Sequence, residues 1–101
     1  VKEKKLMDRF MKEVLSPKST LAAYGKKQIE MALSMGAVDK LLISEGLEKM
    51  ANIEKGTVKQ LGELAENSKA EVTIVSTESE EGVSLQKAFG GLAAILRYPI
   101  S

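Results

Sequence analysis

The side chains with any capacity for chemistry in this chain are carboxylates and hydroxyls, and their spacing decides what they do. Glu78, Glu80 and Glu81 crowd the stretch STESEEG from Ser76 to Gly82, a density of oxygen donors that suits a hard cation. The same acids stand where a helix begins, and there negative charge complements the positive end of the helix dipole. The dipole reading is preferred, and no metal is expected. Glu45 follows a predicted strand at its carboxyl end, the place where open α/β sheets often hold ligands. It has no partner for acid–base work, so it reads as an exposed acid. Ser44 and Ser76 lie nearest to strand ends, but the sequence contains no histidine to activate a hydroxyl. The absence of both histidine and cysteine also removes the commonest metal ligands. Neither catalysis nor a cofactor is expected.

Gly90 and Gly91 are a different case. A dinucleotide fingerprint needs glycines after a strand and before a helix, with a third glycine following. Here the pair comes after a predicted helix and before a predicted strand, so it reads as a left-handed helix C-cap. Downstream, Arg97 and Tyr98 end the last predicted strand and belong to residue types that dominate protein interfaces. A structural role for them, Tyr98 at the core rim and Arg97 solvating the opposite face, is an equal alternative.

The elements that position these residues centre on Ala70 to Tyr98. Val72, Ile74 and Val75 form a β-branched run that suits a strand covered on both faces. Thr77 and Glu80 match a capping box, and Leu85, Ala88 and Phe89 give the following helix an apolar face. Ala93, Ala94, Ile95, Leu96 and Tyr98 supply another strand, ended by Pro99.

Upstream, Lys2 to Leu15 is an amphipathic helix with Leu6, Met7, Phe10, Met11, Val14 and Leu15 on one stripe. It reads as a core-covering helix, and a membrane-surface helix would need more one-sided positive charge. Ser16 to Thr20 breaks it. Leu21 to Tyr24 is a short edge strand, and Gly25 turns into a helix over Lys26 to Met35 with Gly36 as C-cap. Val38 to Ser44 is a strand and residues 48–56 a loop. Thr57 and Gln60 make a second capping box, opening a helix to about Ser68. The alternation predicts a three-layer α/β/α sandwich on a small mixed sheet.

The 101 residues allow one domain, residues 1–101. With 44% hydrophobic and 29% charged residues, the composition is that of a soluble globular protein. A net charge of +1 offers no bulk attraction to nucleic acid or anionic membrane. No apolar run approaches the roughly 20 residues of a membrane helix, and the absence of cysteine fits a reducing, cytoplasmic setting. Starting mid-helix without an initiator methionine, the chain reads as a fragment of something longer.

Four segments taken together carry a resemblance. LAAYG (Leu21 to Gly25), MGAVDKLLISEGL (Met35 to Leu47), STESEEG (Ser76 to Gly82) and AFGGLAAILRY (Ala88 to Tyr98) resemble the carboxy-terminal domain of archaeal and eukaryotic class I peptide chain release factors. The paralogous Pelota family shares some of these features, whereas SEGL, STESEEG and Phe89 look more like the release factors. The resemblance implies the fold of the kink-turn-binding ribosomal proteins. It also implies a noncatalytic docking domain that binds the partner translational GTPase and then the ATP-binding-cassette recycling factor. The ribosome would be met through the full-length factor, with no membrane and no direct stop-codon contact. Partner-binding residues by this resemblance and the residue types are Gly90, Gly91, Ile95, Leu96, Arg97 and Tyr98. Gly90-Gly91 is followed by Leu92 and is not the family's peptide-releasing Gly-Gly-Gln motif.

Two departures stand beside it. Release factors carry a minidomain between the SEGL segment and the next helix, where this chain has only Glu48 to Gly56. The protein lacks the minidomain, or the segment is absent from this chain, or the chain is nearer Pelota. The kink-turn binders also use an Asn-Glu pair after the helix-opening glycine, where this chain has Lys26-Lys27-Gln28. Pelota-type ribosome rescue and a freestanding small RNA-binding protein remain the alternatives.

Overall fold

The computed structural model describes residues 2–15, 21–49 and 56–98. In chain order these form α1 (Lys2–Leu15), β1 (Ala22–Tyr24), α2 (Lys26–Ser34), β2 (Val38–Ser44), a 3₁₀ turn (Leu47–Lys49), α3 (Thr57–Asn67), β3 (Glu71–Val75), α4 (Glu80–Phe89) and β4 (Leu92–Leu96). The expected linker Ser16 to Thr20, Pro99 and most of the expected 48–56 loop lie outside the described residues; Glu48 and Lys49 belong to the 3₁₀ turn.

The strands pair in the order β1-β4-β2-β3. β4 runs antiparallel to both β1 and β2, while β2 and β3 are parallel, joined by a crossover through α3. The sheet is therefore mixed, as the alternation of elements predicts. Between Val38 and Lys40 the β2–β4 register slips, and the displaced Asp39 places a carboxylate oxygen 3.8 Å from Arg9 on α1.

Period-two alternation sends side chains to two separate cores. On one face Leu42, Val75, Ala93 and Ile95 pack against Leu6, Met7 and Phe10 of α1 and Leu85 of α4. On the other, Leu41, Ile43, Leu92, Ala94 and Leu96 pack against Ile29, Ala32 and Leu33 of α2 and Leu61 and Ala65 of α3. Helices on both sides of one sheet make the expected α/β/α sandwich. β2 and β4, covered on both faces, are buried at almost every residue.

Several local expectations are corrected. β3 is an edge strand, so its β-branched run is not covered on both faces: Val75 is buried, but Val72 and Ile74 are 37% and 46% exposed. Leu15 is 74% exposed and Ala88 is exposed, because each lies beyond the arc its helix turns inward. Gly36 takes the left-handed conformation (φ 69°) one position past the cap residue Met35. Its N–H donates to Leu33 O and the Ala37 N–H to Ala32 O, closing the end of α2. Thr57 is the first residue inside α3 rather than its cap, a place taken by Gly56 with φ 85°.

Candidate functional site

The acidic stretch after β3 is held by local chemistry. Ser79, not Thr77, caps α4: its hydroxyl accepts the Gly82 N–H at 3.0 Å and donates to Ser76 O at 2.9 Å. The expected Thr77–Glu80 capping box does not form because Thr77 is engaged elsewhere. Both its N–H and its hydroxyl donate to Oε1 of Glu45, at 3.2 and 3.0 Å. Glu45 thus clamps the end of β2 to the β3–α4 loop across 32 residues of sequence, a role that the reading of an exposed acid missed. Buried Ser44 accepts the Gly46 N–H through its hydroxyl. Among the described residues no group of three His, Cys, Asp or Glu side chains is arranged to hold a metal ion.

Gly90 and Gly91 close α4, with φ values of 67° and 84°. The Gly91 N–H donates to Leu85 O at 3.0 Å, and Gly91 O accepts the Ser44 N–H at 2.9 Å. The pair therefore turns the chain from helix into the central strand. Beside it, Phe89 meets Phe10 edge to face with centroids 4.8 Å apart, and Tyr24 at 5.3 Å. Tyr24 is 47% exposed, an aromatic on this surface that sequence reasoning did not single out. Its only signal was its place at the end of an edge strand.

The other expected partner-binding residues divide. Ile95 and Leu96 are 1% and 2% exposed and belong to opposite cores, so their side chains are withheld from any partner. Arg97 and Tyr98 lie past the end of β4 and are exposed. The Arg97 N–H donates to Ala37 O at 2.7 Å, and its Nη2 to Lys69 O at 2.8 Å. The Tyr98 hydroxyl donates to Met35 O at 2.6 Å. These two residues tie the segment after β4 to the carboxyl ends of α2 and α3, which gives both a structural role. Met31 on α2 and Met35, which caps it, expose nearly half their surface, and Met35 adjoins Tyr98 through its carbonyl. Gly91 and Arg97 flank β4 at opposite ends, roughly 20 Å apart at the rise of an antiparallel strand.

The three-layer domain thus exposes Arg, Tyr and Met side chains at its strand and helix ends, residue types enriched at protein interfaces. The chain belongs to the family described as eRF1 domain 3, whose model matches residues 1–100. It is 39% identical to peptide chain release factor subunit 1 of Archaeoglobus fulgidus, over 97% of this chain and 32% of that protein. The solved carboxy-terminal domain of the Methanosarcina mazei release factor superposes with a TM-score of 0.85 at 31% identity, covering 96% of this chain and 82% of that one. A model of ribosome-bound archaeal Pelota and ABCE1 matches at 0.83 and 35% identity, over 99% of this chain and 27% of that chain. The chain thus spans about a third of the length of the curated relatives it matches. The A. fulgidus alignment runs over 133 positions against a chain of 101 residues, so that relative carries residues inside the matched region that this chain lacks.

Proposed function

We propose that this chain is the noncatalytic docking domain of a translation termination factor, binding a translational GTPase and then an ATP-binding-cassette recycling factor on cytoplasmic ribosomes. The observation that carries this reading is the family match over residues 1–100, shared with release factor subunits. A neighbour of the same fold is described on the ribosome together with ABCE1, which supports a recycling partner here. The surface offered is Arg97 and Tyr98 at one end of β4, with the Gly90-Gly91 turn at the other. Ile95 and Leu96 act only as the buried strand between them.

Calorimetry of the domain against the translational GTPase of the same organism tests this. Arg97→Ala should weaken binding by roughly 1–3 kcal/mol, about ten- to a hundredfold. Undiminished affinity with an intact fold would remove Arg97 from the interface. The Pelota reading is favoured by one observation, the segment present in a release factor and lacking here. A Gly-Gly-Gln motif in the sequence preceding Val1 decides for termination, and its absence for rescue. Binding to structured RNA that falls steeply with salt would instead favour the RNA-binding alternative.

A further inference from the structure

We propose that the outer edge of β3 is a strand-addition site for an extended segment of a partner protein, apolar at alternate residues and acidic at its flanks. The backbone orientation is fixed by one hydrogen bond. Val75 O accepts the Glu45 N–H at 3.0 Å, so Val75 turns its peptide groups toward β2. In a parallel ladder alternate residues face alternate sides, and Thr73 and Glu71 therefore face inward with Val75. Val72 and Ile74 turn their N–H and C=O groups outward, where β3 has no neighbouring strand among the described residues. The same two residues carry the half-exposed apolar side chains, both on the α2/α3 face. An incoming strand would gain four backbone hydrogen bonds and two apolar contacts from one pair of residues.

Natural sheets blunt such edges with proline, lysine, bulges or very short strands. β1, at the opposite edge, is short at three residues. β3 has the sequence EVTIV, pairs regularly with β2 over five residues and has none of these protections. Its charged residue Glu71 is satisfied by Lys40. Charge complementarity selects the occupant. Lys69 stands exposed two residues before the strand, and just past its other end exposed Lys49 shares a hollow with Thr77 and with Glu45, whose Oε1 is taken up by the Thr77 N–H and hydroxyl. Neither ammonium pairs with a carboxylate among the described residues. An extended segment with carboxylates at both ends would meet them over the roughly 17 Å that five residues span. A second copy of this chain does not fit. Two such short edges bury well under the roughly 1,600 Å² of a standard interface, and each would bring its own lysines to the other.

The test uses the synthetic peptide Glu-Glu-Val-Thr-Val-Thr-Val-Glu-Glu and its lysine-flanked counterpart. The acidic peptide should slow amide exchange at Val72 and Ile74 and bind several-fold tighter than the lysine-flanked one. Ile74→Lys should lose about tenfold in affinity with an unchanged melting curve, since the side chain is already half exposed, and Lys69→Glu should erase the preference for acidic flanks. Unaltered exchange at those amides, or equal affinity of wild type and Ile74→Lys, overturns the proposal. So does a dimer in sedimentation whose Val72 and Ile74 amides are protected without peptide, which would assign the edge to a second copy.

Discussion

Replacing Gly82 by alanine should destabilise this domain, although the exchange removes a glycine from a helix. On propensity alone, alanine within α4 is favoured by about 0.8–1.0 kcal/mol. The backbone of α4 says otherwise: a Cβ at Gly82 would fall 1.7 Å from Ser76 O and 2.7 Å from the Ser76 carbonyl carbon. An ordinary carbon–oxygen contact is about 3.3 Å, so the loop and the first turn must separate by roughly 1.5 Å. The obstacle is backbone, which cannot rotate aside as a side chain does. Separation pulls apart the Ser79 cap on Gly82 and the Ser79 bond to Ser76, a cap being typically worth about 1 kcal/mol. Overpacking adds about 1–3 kcal/mol. Set against the propensity gain, the net loss is about 2 kcal/mol, or on the order of 10 °C in melting temperature for a domain of this size. Gly62→Ala is the control. It lies inside α3 with nothing within 4 Å of the new Cβ, and should raise the melting temperature by a few degrees. Thermal melts by circular dichroism of both variants decide. A Gly82→Ala domain as stable as wild type would show that Gly82 does not pack against the Ser76 carbonyl.

The aromatic cluster gives a graded series. Phe10→Ala, at 0% exposure, should cost about 3–5 kcal/mol. Half-buried Phe89→Ala should cost less than that, and exposed Lys12→Ala under about 0.5 kcal/mol; urea midpoints in any other order would refute the packing described. Glu45→Ala should free the Thr77 amide and hydroxyl together, speeding exchange at the Thr77 N–H while costing only about 1 kcal/mol. Glu45→Gln retains a carbonyl acceptor and should restore most of the protection, whereas equal exchange in both variants would deny the clamp.

The parts of this fold legible in the sequence are those decided within one element. α1 occupies Lys2–Leu15 and β2 occupies Val38–Ser44 as read, because an amphipathic period and a bounded apolar run carry their own limits. Gly90 turned left-handed for the same local reason. What failed depended on neighbours. Val72 and Ile74 have the composition of an interior strand, but interior or edge position is set by strand order, to which β3's own residues give no clue. Thr77 satisfies a capping pattern, yet Glu45 wins its hydroxyl from 32 residues away, and Ser79 takes over the cap. Ile95 and Leu96 came into the docking set with the sequence segment that contains them, and only the two-sided cover of β4 shows that they are core. Arg97 and Tyr98 escaped that cover because β4 stops at Leu96.

The strand order has a consequence for how the domain is made. β4, the last strand among the described residues, lies between β1 and β2 and hydrogen-bonds to both. During synthesis, α1 through α4 can emerge while the slot between those two strands stands empty, with Ala23, Leu41 and Leu42 lacking the side chains that later bury them. Closure must wait for Leu92–Leu96 to clear the ribosome, and the pairing of Ala22 with Ile95 then spans nearly three-quarters of the chain. Contacts so distant in sequence fold slowly, and unpaired strand edges are what aggregates in the meantime. Stalling or truncation ahead of Leu92 would therefore leave no smaller stable version of this sheet, but one split down its middle.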